Sequence, residues 1–208
     1  MVLRVDNIPT LLRPGFEAWG QTGGLSLYAS TLAMRQSLSI QIQGLEMLRR
    51  QPAIFVIWHE NLMPLFLTMP SLDEHRYQVW MNPPLWYMKP VHVFLRYLGV
   101  RELCLGSTGH QGQAALADLS QRLVETGAST SMAVDGPKGP PHRLRKGCLY
   151  LARHTGFPLV PVRFHLSNGF RIPINWDRKW WPLPGARLSV HLGPSRFITA
   201  ECSIDEAA

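Results

Sequence analysis

Ser37–Gly44 (SLSIQIQG) alternates apolar and polar residues at period two, the mark of a strand with one buried face. Ala53–Trp58 (AIFVIW) is apolar without a break and rich in β-branched and aromatic residues, which predicts a central strand covered on both sides. Tyr77–Met81 reads as a short strand and Trp86–Tyr97 as a helix, with Met88, Val91, Phe94 and Leu95 apolar and Gly99 as its stop. Arg101–Leu105 predicts a strand. A helix from about Ala114 to Glu125 would bury Ala115, Leu116, Leu119 and Leu123. The stretch STSMAVDG predicts a further strand, Arg145–Thr155 a helix burying Cys148, Leu151 and Ala152, and FPLVPVRFH another strand. Phe170–Trp176 and Leu188–Leu192 complete the strand set. Strands alternating with helices imply a single-domain α/β fold, a mostly parallel central sheet flanked by helices with ligands at the strand ends. Ile54–Trp58, Leu103–Leu105, Met132–Asp135 and Leu159–Phe164 are expected to share that sheet.

Two segments fit less well. A short helical turn is expected at 45–50. Residues 14–36 read as a poor helix because Gly20, Gly23 and Gly24 interrupt them. The chain is accordingly divided into an arm at 1–36, lying on the domain or on a membrane, and a domain at 37–208.

Composition narrows the partners. The 208 residues carry 21 Lys+Arg against 14 Asp+Glu, a formal charge of +7. That balance suits an anionic membrane surface, a phosphorylated substrate or nucleic acid. The basic residues gather at Lys138–Lys146 and Arg171–Arg187 among Pro and Trp, with no basic helix, zinc finger or aromatic RNA-binding strand, so no nucleic-acid partner is expected. Cys104, Cys148 and Cys202 are odd in number and form no CxxC pair, which supports neither a disulfide framework nor a metal site. No signal-peptide core is evident, and Leu25–Met34 is too short to span a bilayer. The expectation is a cytoplasmic protein, peripheral at the inner face of the membrane.

Four stretches could carry chemistry. His59 ends the apolar strand, where it is either a general base or a hydrogen-bonded, half-buried histidine. The run MAVDGPKGP places Asp135 at a strand end and then Gly136, Pro137, Lys138 and Gly139 in a rigid loop. That loop either holds an anion against backbone N–H groups and Lys138, or is a surface turn capped by Asp135. GSTGHQG, with Gly106 and Ser107, precedes a helix whose N-terminus could cradle an anion, but it has neither nucleotide-binding spacing. The run INWDRKWWPLPGAR sets Trp176, Trp180 and Trp181 among Arg178, Lys179 and Arg187, as a membrane-interface seat, an acyl-pocket rim or a loop sealing the core.

In this order WHE, GSTGHQGQAAL, AVDGPKGP, GCLYLARHTGFPLVPV and NWDRKWWPLP resemble a bacterial branch of the lysophospholipid acyltransferase superfamily, over roughly residues 37–196. The resemblance implies a glycerol-3-phosphate acyltransferase-like α/β fold. It also implies transfer of an acyl chain from a thioester, acyl-CoA or acyl carrier protein, to the hydroxyl of a lysophospholipid-like acceptor, with no bound cofactor. His59 stands where the superfamily's H-x4-D motif puts its base. Asp135-Gly136-Pro137-Lys138 matches the later E-G-T-R type motif, whose basic residue binds the acceptor phosphate. Gly106, Ser107, Gly139 and Arg145 are further substrate-binding candidates. The fifth residue after His59 is Pro64 and not Asp, so another carboxylate must orient the base. Glu60 is adjacent but would point to the opposite face unless the backbone turns. Asp135 would be a neighbour if both residues end parallel strands. Leu105 and His110 stand where the branch has arginines, which favours an acceptor poorer in phosphate. A soluble or non-glycerolipid acceptor, or a non-catalytic protein binding lipid or acyl carrier, are the other readings.

Overall fold

The computed structural model describes residues 3–44, 46, 51–72, 77–107 and 111–199. The turn expected at 45–50 lies, apart from Glu46, outside these residues. Nine strands are described: β1 Ser39–Gln43, β2 Ile54–Ile57, β3 Gln78–Asn82, β4 Val100–Leu105, β5 Thr130–Ala133, β6 Leu159–Leu166, β7 Gly169–Arg171, β8 Trp180–Pro182 and β9 Arg187–Leu192. Five form one sheet in the order β1-β9-β6-β2-β5, parallel at every contact except β6–β9.

The fold is α/β with a mostly parallel sheet, as the alternation of elements implies. One expected member sits differently. Leu103–Leu105 belongs to β4, which pairs with β3, and this pair meets the sheet at a single parallel bridge from Gln78 to Ser129. The β3–β4 register shifts between Gln78 and Val79, where β3 leaves β5. Phe170–Trp176 is also not one strand. Only Gly169–Arg171 is extended, in a hairpin with β8, a strand too short for its pattern to show in the sequence.

Side chains alternate across the sheet and build two cores. Phe55 and Ile57 face Leu65, Leu67 and Met69 of helix α2 (Leu62–Leu72), Phe94 and Leu95 of helix α3 (Lys89–Tyr97), and Leu98 just after it. Ile54 faces Leu119 and Leu123 of α4 (Gly112–Thr126) and Leu149, Leu151 and Ala152 of α5 (Gly147–Thr155). Ala115 is buried as expected, whereas Leu116 is half-buried. Helix α2 has no counterpart in the sequence reading. LMPLFLTMPSL is apolar on nearly every side, which erases the 3.6-residue period, and Pro64 sits in the first turn, where no N–H is needed.

The N-terminal segment departs furthest from expectation. Residues 13–36 form a 24-residue helix, Arg13–Gln36 (α1), packed on α3. Its glycines are the packing device. A Cβ on Gly24 would come within 2.5 Å of Val93 Cγ1 and 2.9 Å of the Pro90 carbonyl, and one on Gly20 within 2.5 Å of Lys89 Cγ. Each glycine lowers helix propensity by ~1 kcal/mol, and close contact between the helices offsets that loss. The arm thus lies on the domain.

Two measurements check this packing. Gly24→Ala should lower the melting temperature, although alanine is the better helix former. Gly15→Ala, with nothing within 4 Å of the new methyl, should leave it unchanged or raise it. A Gly24→Ala protein that melts higher than its parent would exclude the close approach.

A second prediction concerns pH. His92 on α3 is buried and its Nε2 lies 3.1 Å from Asn82 Oδ1 and 3.0 Å from the Pro83 carbonyl. Burial pushes its pKa down to about 4, against the bond to Pro83 and with help from Lys89 and Arg96. The unfolded chain binds this proton below its ordinary value of 6.5 and the folded chain does not. Stability is therefore full above pH 6.5 and falls towards pH 4, by about 1.4 kcal/mol per pH unit from this residue. Denaturant titrations of His92→Gln across that window should show a slope shallower by that amount.

Candidate active site

The register of β2 against β5 builds the centre of the site. Ile54 pairs with Thr130 and Ile57 with Ala133, and the pairing runs on as Val134 N–H donates to the Ile57 carbonyl at 2.9 Å. The same separation of 76 positions carries His59 to Asp135. His59 Nδ1 lies 2.7 Å from Asp135 Oδ1, and the His59 backbone N–H donates to that oxygen at 3.0 Å. The other oxygen accepts the backbone N–H of His142 at 3.2 Å. An ionised carboxylate can only accept, so Nδ1 carries a proton, and in the neutral ring Nε2 then has the lone pair.

Asp135 is 1 % exposed, and burial pushes its pKa up. The His59 ring, the His59 backbone N–H and the His142 backbone N–H outweigh burial and hold the carboxyl below its ordinary range. It stays charged near neutrality. The His59 side chain keeps 17 % of its surface exposed, enough to meet a ligand.

The loop after Asp135 is closed by its own hydrogen bonds. Arg145 N–H donates to the Val134 carbonyl at 2.6 Å, its guanidinium donates to the Gly139 carbonyl, and its side chain packs over Gly136. Gly139 has φ +67°, and a Cβ there would lie 2.5 Å from the Trp176 ring. Trp176 Nε1 donates to the Pro137 carbonyl at 3.1 Å, and its ring centroid lies 5.1 Å from that of His59. Lys138 is exposed at the crest of the same loop.

The structure thus brings together His59, Asp135, Gly136, Pro137, Gly139 and Arg145, with Lys138 on the shared loop. Glu60 does not join the base. His59–Asn61 form a 3-10 turn, so the backbone does bend there, but it sends Glu60 to Arg171 Nη1 and towards His142, whose Nε2 is 3.3 Å away. Gly106 and Ser107 are also apart. They follow β4, with β3 and β5 standing between that strand and β2. There Gly106 N–H donates to the Asn82 carbonyl at 2.9 Å, and buried Ser107 bridges to Gln111. His110 lies outside the described residues.

Trp176, Trp180, Trp181 and His142 take positions that the sequence did not assign. Trp176 stood among candidates for a membrane seat, a pocket rim or a core seal, yet its ring lies on the base. Trp180 carries the Arg171 guanidinium 4.3 Å above its ring, and the indole nitrogen of Trp181 is buried. His142 was not among the candidates. Its only signal was position, at the end of a Pro-Pro turn seven residues after Asp135. Among the described residues no three His, Cys, Asp or Glu side chains gather as a metal site.

Comparison with known proteins agrees with this architecture. No family model matches the chain. An uncharacterized protein of Rickettsia prowazekii is 26% identical over 154 residues, 74% of this chain and 68% of that protein. The crystal structure of the 1-acyl-sn-glycerophosphate (LPA) acyltransferase PlsC from Thermotoga maritima superposes with a TM-score of 0.56 at 16% identity, over 92% of this chain and 73% of that one. The chain has the fold of an acyltransferase.

Proposed function

We propose that this protein transfers an acyl group from a thioester, acyl-CoA or acyl carrier protein, to a hydroxyl acceptor of lysophospholipid type, with His59 as general base. The observation that carries the proposal is the 2.7 Å contact between His59 Nδ1 and buried Asp135. It supplies the oriented imidazole that the reaction needs. His59 Nε2 takes the hydroxyl proton as the oxygen attacks the thioester carbonyl. The tetrahedral intermediate collapses with cleavage of the C–S bond, and the imidazolium returns its proton to the departing thiolate. Backbone N–H groups of the loop after Asp135 would hold the oxyanion, and Lys138 would hold the acceptor's anionic group.

The surface fits work at a lipid boundary. No helix among the described residues is long and apolar enough to cross a membrane. Leu11 is 91% exposed and Leu12 beside it is exposed, as are Trp19, Trp86 and Tyr87, and the Trp19 and Trp86 rings are 5.7 Å apart. Arg4, Arg13 and Lys89 stand in the same segments. This cluster, and not the Trp176–Trp181 run, is the better seat on an anionic membrane. Trp86 follows β3 at the edge of the sheet where β2 and β5 present His59 and Asp135.

His59→Ala should abolish thioester-dependent acylation by at least ~10²-fold in a protein of parental melting temperature, and Asp135→Asn should harm turnover more than Glu60→Gln. Near-normal turnover in folded His59→Ala would end the mechanism. For the surface, co-sedimentation should show stronger binding to anionic than to neutral vesicles. That binding should weaken with salt, because exposed charges are screened within ~8 Å at physiological ionic strength. Trp19→Ser with Trp86→Ser should reduce it. Equal partitioning to both vesicle types would point to a soluble acceptor.

A further inference from the structure

The geometry points to a second imidazole–carboxylate pair, Glu60 with His142, as the positioning clamp of the His59–Asp135 base. The inference rests on the acyl-transfer reading and names residues that it leaves unassigned. Two loops each contribute one histidine and one carboxylate, and the pairs cross. His59 faces Asp135 at 2.7 Å, while Glu60 Oε1 faces His142 Nε2 at 3.3 Å. The pairs are coupled, because the backbone N–H of His142 is the donor that fills Asp135 Oδ2.

Each contact of His142 fixes that donor. Its φ of +59° turns the N–H back towards Asp135. Its ring lies 5.3 Å from the Trp58 ring, one residue before the base. Glu60 is itself held on its far side by Arg171 Nη1, whose guanidinium rests on Trp180. The Glu60 side chain is 14% exposed, so an unpaired carboxylate there would be costly, whereas its partners His142 and Arg171 are themselves 53% and 40% exposed. The 59–60 segment therefore grips the Asp135 loop on one side and the β7–β8 hairpin on the other.

The need for such a clamp follows from where the partner carboxylate comes from. An Asp five residues after the base would share one short segment with it. Here base and partner belong to loops 76 positions apart, and beyond the last ladder bond their relative position depends on loop-to-loop contacts. A displacement of 1 Å at a catalytic group can lower a rate ~10²-fold.

Glu60→Ala and His142→Gly test this. Glycine keeps the positive φ and the backbone N–H but removes the ring. Both variants should lower kcat about tenfold or more, with KM for the donor near the parental value, and the double variant should be no worse than the worse single. His142→Asn, which tolerates the left-handed backbone and keeps a side-chain donor, should recover most of the rate. The decisive readout is the proton NMR resonance of the His59 Nδ1–H bonded to Asp135. It should shift or broaden in Glu60→Ala and His142→Gly and return in His142→Asn. An unchanged resonance in folded Glu60→Ala and His142→Gly overturns the clamp, whatever their rates. Because the resonance needs no substrate, a parent without acyl-transfer activity would refute the functional reading while leaving this test decisive.

Discussion

The ladder between β2 and β5 is the constraint on which the site depends. A parallel pairing fixes which residues leave the sheet side by side, and a slip of one residue would reverse the faces of a whole strand. Strand β2 is buried on both faces and β5 partly so, and the register is held by two cores at once. Ile54 is gripped between α4 and α5, and Phe55 and Ile57 by α2 and α3. With the register set, His59 and Asp135 emerge together, and the hydrogen bond from Val134 to Ile57 keeps the strands joined until one residue before Asp135 and two before His59. The His59–Asp135 pair thus borrows its precision from packing far more extensive than itself.

Burying the Asp135 carboxylate is expensive unless each oxygen is met by a donor. Its three N–H donors come from the His59 ring, the His59 backbone and the His142 backbone. Two are main-chain groups, which cannot rotate away as side chains can. The nearby cations are similarly engaged within the protein: Arg145 on the Gly139 carbonyl, Arg171 on Glu60, and Lys179 on Asp177. They organise loops around the base, and exposed Lys138 is left facing outward from the same place.

Much of this was legible in the sequence, for definite reasons. The unbroken run Ala53–Trp58 has one economical use, a central strand, and the sheet edge where His59 would stand follows from that. Asp135 followed from the end of a second such strand. Where signals failed, the information was non-local. The glycines of α1 read as defects because their use is defined by Val93, Pro90 and Lys89 on another helix. Helix α2 was hidden by being apolar all round. Trp176 and His142 lie near the base only after two loops fold against each other, and no periodicity encodes a loop–loop contact. Gly106 and Ser107 were grouped with the site by motif order, whereas strand order places β3 and β5 between.

Pro64 explains why the partner had to come from elsewhere. It is buried in the first turn of α2 and precedes Leu65, Leu67 and Met69, which fill the core under β2. A carboxylate at that position would enter an apolar layer, and its desolvation would have to be matched by new donors. Proline instead suits a first turn, where its missing N–H leaves no bond unmade. With α2 given over to packing, the orienting charge moves to the neighbouring strand end, where main-chain N–H groups already converge. Orientation of the His59 ring is thereby tied to the loop that carries Lys138, and under the proposed acyl transfer whatever moves that loop to admit an acceptor would also act on Asp135. On that proposal base and acceptor site would form one mechanical unit, an arrangement that a carboxylate within the segment of His59 itself would not produce.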